Sequence, residues 1–352
     1  MLDGPVSSPL PESSELSGRI PEWFCPRHET SLIAAPDTLF CPAGQHSVPV
    51  VAGIPRFVTE SGYAEAFGLQ WRRYRRTQLD SYTGTSISAD RLRHALGDVL
   101  WDRLPGSVIL ECGCGAGRFT EVLLTEGAHV VSIDLSQAVD ANAANFPVTA
   151  AHRAAQADIL ALPFARQQFD LVLALGVIQH TPSPERTMAR LYDQVRPGGT
   201  LVFDHYAYSL AQLTKVSGLV RILTKRLPPS RGLDVTAWLV DALLPLHRRA
   251  KRLQPLLGRL SPVACYYTKY PQLTDQCQRE WSLLDTHDSL TDRYKRLRTR
   301  GQIEQTLMRL EAKVIYCKKG GNGIEVRAMR ASRDSLLASG HCGERSIEAH
   351  SA

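Results

Sequence analysis

The chain has 352 residues, 43% hydrophobic and 22% charged, an ordinary globular mixture with enough apolar material for one large domain or two modest ones. No run of about 18 uncharged apolar residues occurs, which argues against a membrane-spanning helix, and the Ser-, Pro- and Glu-rich start lacks a signal peptide's basic and apolar regions, so a cytoplasmic location is expected. Eight cysteines are too sparse for a disulfide scaffold, and the net charge of +6 gathers in residues 221–259, where nine Lys/Arg face only Asp234 and Asp241.

In chain order, residues 1–22 are expected to be disordered. Residues 23–60 follow as a small module of short strands and turns punctuated by Pro and Gly. Inside it, Cys25, His28, Cys41 and His46 fall as C-x2-H-x12-C-x4-H, with each pair in a turn. Four nitrogen and sulfur ligands would close a tetrahedral structural zinc site, and in so small a unit the metal would supply much of the folding free energy.

Residues 61–106 read as helices. "YAEAFGLQWRRYRRTQLDSY" (63–82) spaces its aromatic and aliphatic residues helically among arginines, and a further helix is expected from Ala89 to Arg103. From Ser107 short apolar runs alternate with helical ones: "SVILEC", "FTEVLLTEG", "HVVSID", "AVDANAANF", "FDLVLALGV", "PERTMARLYDQV" and "GTLVFDHY". That alternation predicts an α/β fold with a doubly wound, mostly parallel sheet. Leu- and Arg-rich helical segments at about 207–300 interrupt the pattern. It resumes with a last helix and two strands in "IEQTLMRLEA", "KVIYCKK" and "GIEVRAM", which carries the core to residue 331. Residues 332–352 read as a disordered tail.

The strand "VILE" ends at Glu111, and Gly113, Gly115 and Gly117 then permit a tight turn with close backbone approach before a helix. Counted from Gly113, a dinucleotide fingerprint needs glycine at 118, where Arg118 stands, and a P-loop ending is also absent. Pyrophosphate is therefore disfavoured as the ligand. Cys112 and Cys114, one residue apart, are read as buried packing rather than metal ligands.

With its acid two positions before G-x-G-x-G, this stretch resembles the class I S-adenosylmethionine-dependent methyltransferases. The resemblance covers about residues 107–205 and, more loosely, 301–330, and it implies a Rossmann-like seven-stranded sheet. It also implies that Glu111, Gly113, Gly115 and Gly117 surround the methionine part of the cofactor and that Asp134, ending "HVVSID", accepts from the ribose hydroxyls. "AQADILALPF" places Asp158 and Ile159 at the adenine, and Leu175 lies in the segment under the methionine end. The helices before the core, with "FGLQW", resemble those of bacterial methyltransferases of similar layout, so Trp71 and Arg72 are expected over the cofactor. The "PVVAGIPRF" closing the small module resembles the end of ribbon modules attached to some methyltransferases, among them zinc-containing bacterial ribosomal RNA guanine methyltransferases.

Catalytic candidates lie beyond the carboxyl ends of the fourth and fifth strands, where such sheets bind ligands: His180 in "IQHTP", and Asp204, His205 and Tyr206 in "FDHYAY". "WSLLDTHDSLTDRY" (281–294) resembles W-x-x-L-D-T-F-D of similar methyltransferases, making Asp285 and Asp288 further candidates to face the acceptor. The leading expectation is methyl transfer to a small molecule (a sugar, lipid-linked intermediate or secondary metabolite) beneath a cap formed by the 207–300 insertion. Two alternatives stand beside it: an RNA base methyltransferase that holds phosphates with the module and the basic segment, and a non-catalytic cofactor-binding regulator. Residues 221–259 are also a candidate for weak membrane-surface association.

Overall fold

The computed structural model describes residues 20–59, 62–208 and 215–332. The expected disorder at 1–19 and 333–352 lies outside these residues. The expectation does not hold for residues 20–22: Ile20 is buried against the main core, and the carbonyl of Pro21 accepts from Arg153.

Six short strands, β1 (Phe24–Cys25), β2 (Thr30–Ser31), β3 (Ile33–Ala35), β4 (Thr38–Cys41), β5 (His46–Val51) and β6 (Ile54–Pro55), make up the small module. They form a two-stranded sheet, β1–β2, and a four-stranded antiparallel sheet, β3–β4–β5–β6. Its own core is small: Leu39, Val48 and Val50, with Trp23, Leu32 and Phe57 packed against them, while Ile54 of β6 is buried against Val139 and Ala154 of the main domain.

Four helices follow: α1 (Glu65–Arg73), α2 (Asp80–Thr83), α3 (Ile87–Leu96) and α4 (Asp98–Trp101). The single helix expected over 89–103 is broken because Gly97 adopts φ +69° and ends α3. Arg327 closes that end by donating to the carbonyls of His94 and Ala95.

The core alternates β7 (Val108–Cys112), α5 (Arg118–Thr125), β8 (His129–Asp134), α6 (Ala138–Asn145), β9 (His152–Gln156), β10 (Phe169–Ala174), α7 (Pro184–Gln194) and β11 (Val195–His205). The insertion contributes α8 (Val216–Thr224), α9 (Pro229–Arg249), α10 (Gln254–Leu260) and α11 (Asp275–Thr291). After it come α12 (Arg300–Arg309), β12 (Lys313–Gly320) and β13 (Gly323–Met329). The seven-stranded sheet runs β12-β13-β11-β10-β7-β8-β9. Pairs from β11 to β9 are parallel, and β13 joins β11 and β12 antiparallel.

Strand residues alternate between two cores, as period two requires. Leu110, Val131, Val172 and Phe203 pack on one face, and Ile109, Val130, Leu173 and Val202 on the other with Leu92 and Leu96 of α3. The chain leaves β7 toward β8 and β9 on one side and later fills β10 and β11 on the other. The resulting switch point lies beyond the carboxyl ends of β7 and β10, where ligands bind in such sheets.

The insertion and the N-terminal helices share a core. Leu233, Val240 and Leu244 of α9 and Leu283 of α11 pack with Leu69 and Tyr74 from the α1 segment. Together these elements roof the switch point. Among the described residues, no helix is long and apolar enough to cross a membrane.

Candidate functional site

A cavity of about 410 Å³ opens at the switch point, within the usual span of small-molecule sites. One end is the turn after β7. Gly113, Gly115 and Gly117 all take positive φ, and at Gly115 an added Cβ would come within 3.3 Å of the Trp71 indole, so the missing side chain lets Trp71 lie against the turn. Asp134, at the end of β8, accepts from the Gly115 amide at 3.0 Å and from both the amide and hydroxyl of Ser136. These bonds fix the carboxylate at the cavity wall. Burial raises its pKa, while the bonds from Ser136 and Gly115 oppose that shift.

Leu135, Ile159 and Leu175 continue this wall, and Tyr63, Phe67 and Trp71 cover it from the N-terminal helices. An apolar wall beside a fixed carboxylate at a glycine turn fits a nucleoside joined to an amino-acid end. S-adenosylmethionine has that form.

Three residues expected at the cofactor stand back from the cavity lining. Glu111 is buried beneath the turn, accepting from Thr120 at 2.5 Å and Ser132 at 3.1 Å, and burial pushes it up to about 7. It supports the turn from behind. Gly117 is the N-terminal boundary residue of α5, where an added Cβ would strike the Phe146 ring at 2.6 Å. Asp158 accepts from the Leu160 amide at 2.8 Å and caps the short turn that presents Ile159. Cys112 and Cys114 are buried, and burial pushes both thiols well up, consistent with a packing role.

The other end of the cavity belongs to the cap. Asp285 and Asp288 on α11, Tyr206 after β11, His180, and Tyr266, Tyr270 and Trp281 all line it. Asp288 accepts from Nε2 of Gln70, and Gln70 Oε1 lies 2.5 Å from Nδ1 of His287. Burial lowers His287 to about 4, so its ring is neutral near pH 7. Burial first, then the neighbouring Asp285 carboxylate, pushes Asp288 up to about 7. The Tyr266 hydroxyl donates to Asp285, whose pKa burial also raises.

The four catalytic candidates behave differently. His180 lines the cavity with Nδ1 3.2 Å from the Tyr294 carbonyl, and its ring meets Phe67 and Tyr206 edge-on. Tyr206 also lines the cavity, and burial holds its hydroxyl protonated. Asp204 is fully buried, accepting from Gly176 N at 2.6 Å and Arg91 at 2.5 Å, so its carboxylate anchors other groups. His205 does not reach the cavity. It is buried on the opposite side from Asp204 and Tyr206, with Nδ1 3.0 Å from the Tyr206 carbonyl, and burial lowers it to about 4.

Sequence reasoning passed over Gln70, Arg91 and Arg118. Arg118 is half-buried at the start of α5, donates to Ser88 and lies 5.2 Å from the Trp281 ring centroid. Trp281, Asp285 and Asp288 stand at i, i+4 and i+7 of α11 and share one helix face.

A second cluster lies in the small module. The ligand atoms of Cys25, His28, Cys41 and His46 all fall within 4.8 Å of one another. The two cysteines are fully buried and His28 is exposed.

This sheet order and glycine turn define a Rossmann-like core. Residues 110–203 match the family described as "Methyltransferase domain", so the chain carries such a domain. Over 117 residues it is 36% identical to the malonyl-[acyl-carrier protein] O-methyltransferase of Enterobacter lignolyticus, covering 32% of this chain and 46% of that protein. Over 103 residues it is 34% identical to the ubiquinone biosynthesis O-methyltransferase of Aromatoleum aromaticum, covering 28% of this chain and 44% of that one. The chain thus spans less than half the length of the curated relatives it matches. Among solved structures, magnesium protoporphyrin IX methyltransferase from Synechocystis PCC 6803 aligns over 77% of this chain and 98% of its own, at 13% identity and a TM-score of 0.43.

Proposed function

We propose that this protein transfers the methyl group of S-adenosylmethionine to a hydroxyl of a ring-bearing small molecule. The observation that carries the reading is a single cavity with Asp134 and the glycine turn at one end and Asp285, Asp288 and Tyr206 at the other. When bound, S-adenosylmethionine supplies a methyl carbon on a positively charged sulfur, open to direct displacement. The protein's share is alignment, exclusion of water and removal of the acceptor's proton.

Asp134 accepts from the ribose hydroxyls, Ile159 lies against the adenine, and Trp71 with Leu175 encloses the methionine end. Tyr206, held protonated, donates a hydrogen bond to the acceptor oxygen. Asp288 takes the proton. Its carboxylate lines the cavity, accepts only from Gln70 among the described residues, and titrates near neutral pH, where a general base works best. His180 is a wall, oriented through Nδ1. The aromatic rings of Phe67, Tyr206, Tyr266, Tyr270 and Trp281 favour a flat or ring-bearing acceptor.

Calorimetric titration with S-adenosylhomocysteine tests the cofactor half. Wild type binds, and Asp134→Ala loses binding by at least about tenfold, the loss of a charge-assisted pair of hydrogen bonds. Absence of binding to wild type sinks the reading.

The acceptor's source follows from the cap surface. Leu219, Ile222 and Leu223 on α8 and Leu256 and Leu260 on α10 are exposed, with Leu223 at 75%, and the two helices touch. Lys225, Arg226, Arg252 and Arg259 stand exposed among them. Apolar side chains interleaved with cations suit an anionic membrane surface better than an RNA backbone, and this supports a membrane-associated or lipid-linked acceptor.

A further inference from the structure

The small module's own core holds only Leu39, Val48 and Val50 as buried aliphatic side chains, with three partly buried neighbours, while Ile54 packs outward on Val139 and Ala154. That is too little to hold some 35 residues without a staple. Its turns instead converge on four side chains. In the β4–β5 hairpin Cys41 pairs with His46 across the ladder, and Cys25 ends β1 while His28 lies in the turn that follows it.

The distances between these side chains point to a shared ion. Cys25 Sγ lies 3.5 Å from His28 Nδ1 and 3.8 Å from His46 Nε2, and Cys41 Sγ lies 3.6 Å from the same His28 Nδ1. A tetrahedral zinc with its usual bond lengths has ligand-to-ligand edges of roughly 3.3 to 3.8 Å. One ring nitrogen nearly equidistant from two sulfurs is what an ion between the three atoms produces. Gly44 completes the cradle. A Cβ there would lie 2.2 Å from the His28 ring and 2.7 Å from His46, and the Gly44 amide donates to Cys41 Sγ at 3.4 Å, a bond that favours the thiolate.

The cluster is wired to the cofactor cavity. Next to Cys25, the Phe24 amide donates to the Pro163 carbonyl at 2.9 Å. Next to Phe24, the Trp23 ring contacts Phe164 and Phe57 at centroid distances of 5.4 and 5.7 Å. Pro163 and Phe164 close the loop that opens with Asp158 and Ile159. On the other side, Phe57 N donates to the carbonyl of Gln156, whose side chain donates to Leu135, the cavity residue after Asp134.

We propose that Cys25, His28, Cys41 and His46 bind one zinc-class divalent ion, and that the ion, by fixing β1, braces the 158–164 loop against which the adenine packs. The metal assignment stands on its own, and the effect on cofactor affinity rests on the reading of the cavity given above. Removing the ion frees β1, so that Trp23 and Phe24 no longer pin Pro163 and Phe164, and Ile159 loses its fixed position.

Metal analysis of the full chain from zinc-supplemented cells gives about one zinc per chain, and exchange into cobalt gives the intense visible bands of a tetrahedral thiolate site. Chelation, or Cys41→Ser, then speeds amide exchange in residues 157–164 and weakens S-adenosylhomocysteine binding by about tenfold, with zinc restoring both in the chelated wild type. Trp23→Ala retains zinc yet shows the same faster exchange, which separates bracing from loss of the fold. A zinc-free chain without cobalt bands overturns the metal site. A metal-loaded chain whose 157–164 exchange is unchanged on chelation overturns the brace. If wild type fails to bind S-adenosylhomocysteine, the cofactor reading falls, and metal content with amide exchange still decides this one.

Discussion

Gln70 donates its side-chain amide to the carboxylate of Asp288, 218 positions further along the chain. The amide is fully buried, and its oxygen is taken by Nδ1 of His287 at 2.5 Å, so it can offer Asp288 only its NH2 group. One oxygen of Asp288 is thereby held and the carboxylate is aimed into the cavity. If Asp288 removes the acceptor's proton, Asp288→Asn lowers kcat for a hydroxyl acceptor by about 10² to 10⁴ while S-adenosylhomocysteine affinity stays within about twofold of wild type. Wild-type kcat/KM rises with pH through about 7, and the variant loses that limb. A variant that keeps the wild-type pH profile removes Asp288 from the base role.

The same residue affects stability. Its carboxyl is pushed from an ordinary 3.8 up to about 7 in the folded chain, by burial and then by Asp285. The folded state therefore holds the proton more tightly than the unfolded one, and this contribution is fully present below about pH 4. It is lost as pH rises to about 7, by an amount on the order of a few kcal/mol at most. Asp288→Asn, which keeps an acceptor for Gln70, is then more stable than wild type to urea at pH 8 and equal to it at the lowest pH where both fold. Equal midpoints at pH 8 would contradict the shift.

The parts of this site legible in the sequence were those set by local chemistry. The glycine turn, the acid ending β8 and the alternation of buried strands with helices are fixed by neighbours a few residues apart, so a linear reading reaches them. Glu111 and His205 show where that reading stops. Glu111 ends an apolar strand as a ligand-bearing acid would, yet Thr120 and Ser132 draw it beneath the turn. His205 sits between two cavity residues, and the period-two alternation of a strand sends it to the other face. Gln70 with Asp288, and Arg91 with Asp204 and Glu325, are contacts between distant segments whose partners only the packed cap and sheet bring together.

Arg91 joins two buried carboxylates. It bonds Asp204 at the end of β11 and Glu325 on β13, and the carboxylates are 0% and 1% exposed. Truncating the cation leaves two acids in a low-dielectric wall, which costs about 3 to 5 kcal/mol when a buried pair is broken. Arg91→Leu should lower the unfolding free energy measured in urea by that much at pH 8, and by less at lower pH as Asp204, whose pKa burial raises, becomes protonated. The triple change Arg91→Leu, Asp204→Asn, Glu325→Gln recovers part of the loss. If Arg91→Leu costs under about 1 kcal/mol, the range of an exposed pair, the cluster is not the stabilising link described.

The cap surface gives the last test. Leu219 and Leu223 on α8 are 68% and 75% exposed, Leu256 and Leu260 on α10 are 54% and 58% exposed, and basic side chains stand between the two pairs. Each cation near an anionic surface contributes about 1 kcal/mol, and burial of the leucines adds to it. Co-sedimentation with vesicles of anionic phospholipid should therefore retain the chain at low salt, while neutral vesicles retain much less. Leu223→Ser with Leu256→Ser should weaken retention while leaving single-stranded RNA affinity unchanged. The opposite pattern, RNA binding that Arg226→Glu and Arg252→Glu abolish and no retention by anionic vesicles, would assign the basic segment to phosphates of nucleic acid and remove the membrane-associated acceptor.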